Sequence, residues 1–102
     1  MNQVEAAWLA GLIEGEGTIG QYKYGTRTST VLRVEMKDKD VIEKAMKVAG
    51  CGNIVFKKAR GNSKETWCWS ITQAKQVEKI CKEILPFMGA RRSAKIREIF
   101  PM

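Results

Sequence analysis

The stretch LAGLIEGEG, residues 9–17, places three glycines and two glutamates in and directly after the most apolar segment of the chain. Its alanine and leucine content predicts a helix over residues 3–15, although glycine lowers the intrinsic helix propensity there. Ala7, Gly11 and Gly15 recur four residues apart and so form a ridge of small residues along that helix. Such a ridge lets another backbone approach closely. We expect a second helix against the ridge and a sheet against the bulky side, which carries Trp8, Leu9, Leu12 and Ile13.

The length of 102 residues predicts one domain, residues 1–102, with a single core. A hydrophobic fraction of 44% and a charged fraction of 28% are close to the averages for globular proteins. The longest apolar run, residues 6–13, is too short to span a membrane, and the first residues do not have the pattern of a secretory signal. We therefore expect an intracellular protein, cytoplasmic or organellar, with a phage origin left open.

The residues available for chemistry are restricted. The three cysteines are widely spaced and form no CxxC pair, which favours reduced thiols used for packing. The absence of histidine excludes zinc sites of the common Cys/His type and nucleophiles activated by histidine. Catalysis would have to use carboxylates, Lys, Arg, Tyr or a metal ion held by oxygen.

Charge is distributed unevenly. Residues 1–20 contain three glutamates and no base, a charge of −3, so the remaining residues contribute +10 to the net charge of +7. A basic body of this size indicates a polyanionic partner, either nucleic acid or an acidic membrane surface. A basic but simply solvated surface explains the same charge, so charge alone does not decide.

Two ββα units are predicted after the first helix. Strands are expected over residues 18–24, 29–36, 53–58 and 65–71, with turns around residues 25–26 and 60–63. Helices are expected after Asp38 and Thr72 as N-caps, the first stopped by Gly50 and the second by Pro86, and a basic helix over residues 90–100 closes the chain. The order αββαββα predicts an α+β fold, an antiparallel sheet with helices on one face.

One face of this sheet is expected to be open, because alternate strand residues point away from the helices. Leu32, Val34, Trp67, Trp69 and Ile71 take the core phase. The outward positions are Tyr22, Tyr24, Val31, Arg33, Glu35, Val55, Lys57, Thr66, Cys68 and Ser70. With the loop residues Arg27, Lys58 and Arg60, this face suits a nucleic-acid groove, although an ordinary polar outer face has the same composition.

The nonapeptide L9-A-G-L-I-E-G-E-G17 resembles the signature of the LAGLIDADG homing endonucleases. Six of its nine positions match that pattern, and Glu replaces Asp at positions 14 and 16. The resemblance extends to the KDKD start of the second helix at residue 37, the PFM segment at residue 86 and the RRSAK stretch at residue 91. It therefore covers nearly the whole chain and implies the saddle-shaped sheet of that family.

The family resemblance implies a homodimer, because this chain carries the motif once. Its interface would contain Ala7, Gly11, Leu12 and Gly15 near the two-fold axis. Two copies would present their sheets to one DNA duplex with a palindromic or nearly palindromic site. The resemblance also implies an endonuclease that hydrolyses phosphodiester bonds in double-stranded DNA, as in intron homing.

The resemblance further assigns the catalytic residues. Glu16 of each subunit and the Gly15 carbonyl would hold Mg²⁺, or another divalent cation such as Mn²⁺ or Ca²⁺. Arg91 would stabilise transition-state charge where the family usually has lysine, and Met36 stands where many members carry a polar residue. For Glu14 the alternatives of helix capping and metal contact stay open. Residues expected to contact DNA are Tyr22, Tyr24, Arg27, Ser29, Arg33, Lys57, Arg60, Ser70, Arg92 and Lys95.

Two alternatives keep the same fold. A non-cleaving DNA- or RNA-binding relative, such as a splicing helper (maturase) or a repressor, needs the basic face but not a metal at Glu16. A basic dimerisation module needs no nucleic acid. The sequence gives neither the target site nor the genetic context, whether intron, intein or free-standing gene.

Overall fold

The first helix, α1 (Gln3–Glu16), begins at a capping box in this computed structural model, which describes residues 1–61 and 64–101. The Glu5 amide donates to Asn2 Oδ1 at 2.8 Å, and the Asn2 amide donates to Glu5 Oε1 at 3.0 Å. Each bond satisfies an N–H group that the helix itself leaves unpaired. α1 therefore starts where sequence predicts, and it extends one residue further than expected, to Glu16.

α1 runs directly into the first strand at Gly17, with no connecting loop. The Gly17 amide donates to the Ile13 carbonyl. A Cβ atom at Gly17 would lie 2.9 Å from Ile13 Cα, closer than real contacts allow. A glycine is therefore required at this junction, which places Glu16 where the helix meets the sheet.

The remaining elements confirm the predicted α+β fold and the order αββαββα, followed by the basic closing helix. The strands form one antiparallel sheet in the order β1-β2-β4-β3. The elements are β1 (Gly17–Tyr24), β2 (Arg27–Met36), α2 (Lys39–Ala49), β3 (Asn53–Lys57), β4 (Thr66–Ile71), α3 (Ala74–Ile84), a 3-10 turn (Leu85–Phe87) and α4 (Ala90–Ile99).

The core lies between α1, α2, α3 and one face of the sheet. The strand residues expected in the core phase line it, and Leu32, Val34 and Trp69 are fully buried. The buried stripe of α1 differs from the expected one, because Trp8 and Leu12 are only half-buried. Leu9 and Ile13 are buried as expected, and Ala6 and Ala10 complete the stripe at the i, i+3, i+4 and i+7 spacing of one helix face.

The predicted helix ends are only partly confirmed. Gly50 ends α2 in the left-handed conformation, at φ 76°, as predicted. Asp38 occupies the N-cap position of α2, but its side chain makes no capping hydrogen bond. The prediction of Thr72 as the cap of α3 is wrong, because Gln73 holds that position and also makes no side-chain cap. The predicted turn at residues 60–63 includes Asn62 and Ser63, which lie outside the described residues.

The register confirms which residues share the outer face. Tyr22 lies opposite Ser29, Tyr24 opposite Arg27, and Arg33 opposite Ser70. The outward position of Cys68 is confirmed by its pairing, yet the residue is 5% exposed because it sits in an inner strand. In the described ranges, no helix combines the length and the apolar character needed to cross a membrane.

Candidate functional site

Glu16 is the last residue of α1 and is exposed. Its carboxylate makes no hydrogen bond or ion pair with any other described residue. It lines an open cleft together with Glu35, Met36, Lys37, Asp38 and Thr66. Across residues 1–61 and 64–101, no three acidic or cysteine side chains come close enough to hold a metal ion. At this point the chain offers the unpaired carboxylate of Glu16, next to exposed Gly15, and the exposed carboxylate of Asp38 lines the same cleft.

Glu14, two residues earlier, is fully engaged with the N-terminal end of α4. Its Oε1 accepts from the Gly89 amide at 2.6 Å, and its Oε2 lies 3.3 Å from Arg92 Nε. Arg92 also donates from NH2 to the Glu14 backbone carbonyl at 3.4 Å. These contacts favour the capping role that sequence left open for Glu14. They also hold the Arg92 side chain, 16% exposed, in an ion pair with Glu14.

Arg91 and Lys95 are exposed on α4. They line a cleft with Thr18 and Ile19, the residues that follow Gly17 in β1, and with Arg92 and Glu98. Because Glu14 holds the start of α4 against the end of α1, this basic cleft is anchored beside the α1–β1 junction. The arrangement puts cationic side chains in the same region as the free carboxylate of Glu16.

The small-residue ridge of α1 faces outward. Ala7, Gly11 and Gly15 are exposed, and a Cβ added at either glycine would meet no atom within 4 Å. Val4, at the start of the same helix, is 79% exposed, and Leu12 is half-buried. The most apolar helix of the chain therefore leaves one side uncovered, next to Glu16 at its end.

The outer sheet face carries most of the residues predicted to contact nucleic acid. Tyr22 and Tyr24 are 48% and 67% exposed. Tyr22 lies over Gly20, where an added Cβ would come 2.7 Å from the tyrosine Oη, so glycine lets this ring lie on the sheet. The predicted residues that the strands bring to this face are Tyr22, Tyr24, Arg27, Ser29, Arg33, Lys57 and Ser70. Arg60 follows β3 in a groove with Lys57, Lys58 and Lys64.

An ion pair on this face was not predicted from the sequence. Lys57 Nζ lies 2.8 Å from Glu35 Oε1, and the Thr66 hydroxyl donates to Glu35 Oε2 at 3.1 Å. The hydrogen bond from Lys57 holds the pKa of the Glu35 carboxyl below its usual range, and the same contact raises the pKa of Lys57. Glu35 and Lys57 are each outward by alternation, but only the strand order β2-β4-β3 brings them together.

Comparison with known proteins identifies relatives of this arrangement. A family model described as "LAGLIDADG endonuclease" matches residues 9–97. The homing endonuclease I-CvuI, solved in complex with its target in the presence of Ca, is 17% identical and superposes with a TM-score of 0.73 over 93% of this chain. The archaeal intron-encoded homing endonuclease I-Vdi141I, complexed with DNA, is 20% identical, with a TM-score of 0.72 over 93% of this chain. The group I intron-encoded homing endonuclease I-CeuI, complexed with DNA, is 19% identical, with a TM-score of 0.73 over 96% of this chain.

The chain is shorter than these structures. It spans 62% of I-CvuI, 65% of I-Vdi141I and 53% of I-CeuI. At this level of identity the superpositions establish a shared fold. No curated protein sequence matches the chain.

Proposed function

This chain belongs to the LAGLIDADG endonuclease family, and from that premise we propose that it is a site-specific, Mg²⁺-dependent double-stranded DNA endonuclease that acts as a homodimer. The observation that carries the proposal is the unpaired Glu16 carboxylate at the end of an uncovered small-residue ridge. Neither feature serves the fold of a single chain. Both would have a role if a second copy of α1 packed against the first: the ridge would form the contact, and Glu16 would bind the metal ion.

The dimer follows from the surface of α1. Because Gly11 and Gly15 have open space above them, a second helix can approach the backbone closely there. An isologous two-fold contact would pair the ridge with itself and bury Val4 and Leu12. It would also bring together the ends of both helices and hence two Glu16 side chains. The matching DNA site would be palindromic or nearly palindromic.

The donor atoms at this position suit Mg²⁺. Carboxylate and backbone carbonyl oxygens are the hard ligands that Mg²⁺ prefers, and Glu16 and the Gly15 carbonyl provide one of each. In the proposed homodimer, Glu16 of the second subunit would add its carboxylate to this ligand set. Mn²⁺ or Ca²⁺ would occupy the same oxygens. When bound, the ion supplies activation of a water molecule and stabilisation of the leaving oxygen.

The other residues near Glu16 have narrower roles. The positive charge of Arg91 would stabilise negative charge that develops on the phosphate, but a guanidinium does not act as a general acid or base. Met36 lines the Glu16 cleft with a thioether, which is a weak acceptor and no donor. A thioether at this position would orient a water molecule less firmly than an amide side chain, and we therefore expect slow cleavage.

DNA would be bound through the outer sheet face. Arg27 and Arg33 point outward there, and arginine is suited to bidentate contact with guanine in the major groove. The tyrosines provide exposed apolar area and a hydroxyl each. Lys95 and Arg91 on α4, and Arg60 beyond β3, extend the positive surface to the phosphates at the edges of the sheet.

The test begins by selecting cleaved sites from a randomised DNA library with Mg²⁺ present. On a selected site, Glu16→Gln should abolish cleavage and keep binding, because it removes the metal ligand without changing side-chain size. Glu43→Gln, an exposed and unpaired acid on α2, is the matched control and should cleave like the unmodified protein. Cleavage by Glu16→Gln at the normal rate contradicts the assigned role.

A non-cleaving DNA- or RNA-binding function is the second candidate, and Met36 in the Glu16 cleft is the observation that favours it. It predicts salt-sensitive binding of nucleic acid without cleavage of any library site in Mg²⁺ or Mn²⁺. Binding without cleavage by the unmodified protein therefore decides for this candidate. Sedimentation that finds only monomers, even with DNA, would exclude the homodimer in both.

A further inference from the structure

The cluster formed by Glu35, Lys57 and Thr66 lies on the outer sheet face and has no part in the chemistry proposed above. Glu35 is the only acidic residue in the four strands, all of which belong to the described part of the chain. It borders both the Glu16 cleft and the basic groove that contains Lys58, Arg60 and Lys64. Glu35 is therefore the one acid that lines this groove among the described residues.

The cluster spans three strands. In the register Glu35 on β2 lies opposite Cys68 on β4, while Lys57 on β3 lies opposite Thr66 on β4. Glu35 thus reaches across β4 to meet Lys57 at 2.8 Å, and its second oxygen accepts from Thr66 at 3.1 Å. Both carboxylate oxygens are engaged, and the ammonium of Lys57 is bonded to Glu35, with half of the lysine side chain exposed.

Pairing changes what Lys57 contributes to binding a polyanion. A free lysine that meets a phosphate releases condensed counterions, which strengthens binding of DNA of any sequence. A lysine already neutralised by a carboxylate presents a phosphate with a neutral pair and adds little to that term. Base contacts made elsewhere on the sheet are unaffected, so the ratio of target to non-target affinity increases.

We propose, resting on the DNA-binding function proposed above, that Glu35 is a specificity-determining residue that holds Lys57 off the phosphates and thereby weakens sequence-independent binding. The cluster thus limits the electrostatic attraction between this face and any polyanion. Its removal strengthens binding to any duplex at low salt and makes that binding more sensitive to salt.

The experiment measures binding of a mixed-sequence duplex over a range of salt concentrations, which requires no knowledge of the target. Glu35→Gln should steepen the slope of log affinity against log salt by about 0.9 for each bound subunit. Between 50 and 200 mM salt, each bound subunit then contributes a roughly 3.5-fold larger loss of affinity. Glu65→Gln, an exposed acid just before β4, makes the same change of charge without releasing Lys57 and should keep the original slope.

Lys57→Met tests whether the released lysine carries the effect. Alone it leaves the Glu35 carboxylate unpaired, so it is made in the Glu35→Gln background, where it should flatten the slope by about 0.9 per subunit and return it to the original value. A double variant whose slope stays as steep as that of Glu35→Gln would show that Lys57 does not carry the effect and would overturn the proposal. If Glu65→Gln steepened the salt slope as much as Glu35→Gln, the effect would come from net charge alone, and the proposal would be overturned.

The two proposals fail in different ways. If the unmodified protein forms no salt-sensitive complex with any duplex, the DNA-binding function itself is wrong. If it binds with a clear salt dependence and the Glu35→Gln slope equals the original one, the function stands and the role of Glu35 is wrong.

Discussion

Replacing Glu14 with alanine should destabilise the fold by about 2–3 kcal/mol. The change removes a charge-assisted bond from the Gly89 amide at 2.6 Å, for which about 1.5–3 kcal/mol is typical. The side chain of Glu14 is 38% exposed, so the lower part of that range applies. Loss of the carboxylate also leaves the guanidinium of Arg92, 16% exposed, without its partner, which adds roughly 1 kcal/mol.

Thermal and urea unfolding at one fixed protein concentration measure this loss, since the proposed dimerisation would make stability depend on concentration. For a domain of this size, about 2–3 kcal/mol corresponds to a fall in Tm of roughly 10–20 °C. Glu14→Gln is the matched control: its amide oxygen still accepts from Gly89, so we expect a loss of about 1 kcal/mol. If the alanine variant unfolds within about 0.5 kcal/mol of the unmodified protein, the contact between α1 and α4 does not stabilise the fold as argued.

Two further substitutions and one chemical modification test the packing directly. Gly17→Ala should cost about 1–3 kcal/mol, because the new Cβ would lie 2.9 Å from Ile13 Cα. In protein diluted enough to be monomeric, Gly11→Ala should instead stabilise the fold by up to about 1 kcal/mol, since its Cβ meets open space and alanine favours the helix. Burial raises the pKa of the Cys81 thiol to about 12. Near pH 8 a thiol reagent should therefore modify half-buried Cys51 first and reach Cys81 only through unfolding. Rapid labelling of Cys81 in the native protein would contradict its burial.

Local features explain how much of the fold could be predicted. The limits of α1 follow from its composition and from the Asn2 and Glu5 capping box, which are contacts within four residues. The facing of strand residues follows from a period of two, so Trp69 and Tyr22 were placed on the correct sides. The buried stripe of α1 was only partly predicted, because how closely a helix approaches a sheet depends on its small residues. Ala6 and Ala10 are buried, whereas Trp8 and Leu12, which were expected to face the sheet, are only half-buried.

The contacts of the candidate site could not be predicted because they are distant in sequence. Glu14 and Gly89 are 75 residues apart, and Glu35 and Lys57 are 22 residues apart on strands that are not adjacent in the sheet. Nothing in the sequence fixes the strand order that joins the second pair. Sequence analysis placed Lys57 and Arg92 among the residues expected to contact DNA. The structure shows that each forms an ion pair with an acid.

The three glutamates nearest the candidate site therefore differ in a way that composition hides. Glu14 and Glu35 each neutralise a cation, one within the fold and one on the sheet face. Glu16 has no such partner, although a negative charge in the last turn of a helix is repelled by the helix dipole. Folding gains nothing from an acid at that position, and glycine or lysine would be more favourable there. An unfavourable charge that the fold does not need, in a basic protein and at the end of an uncovered helix, supports the proposal that a cation binds there in a homodimer.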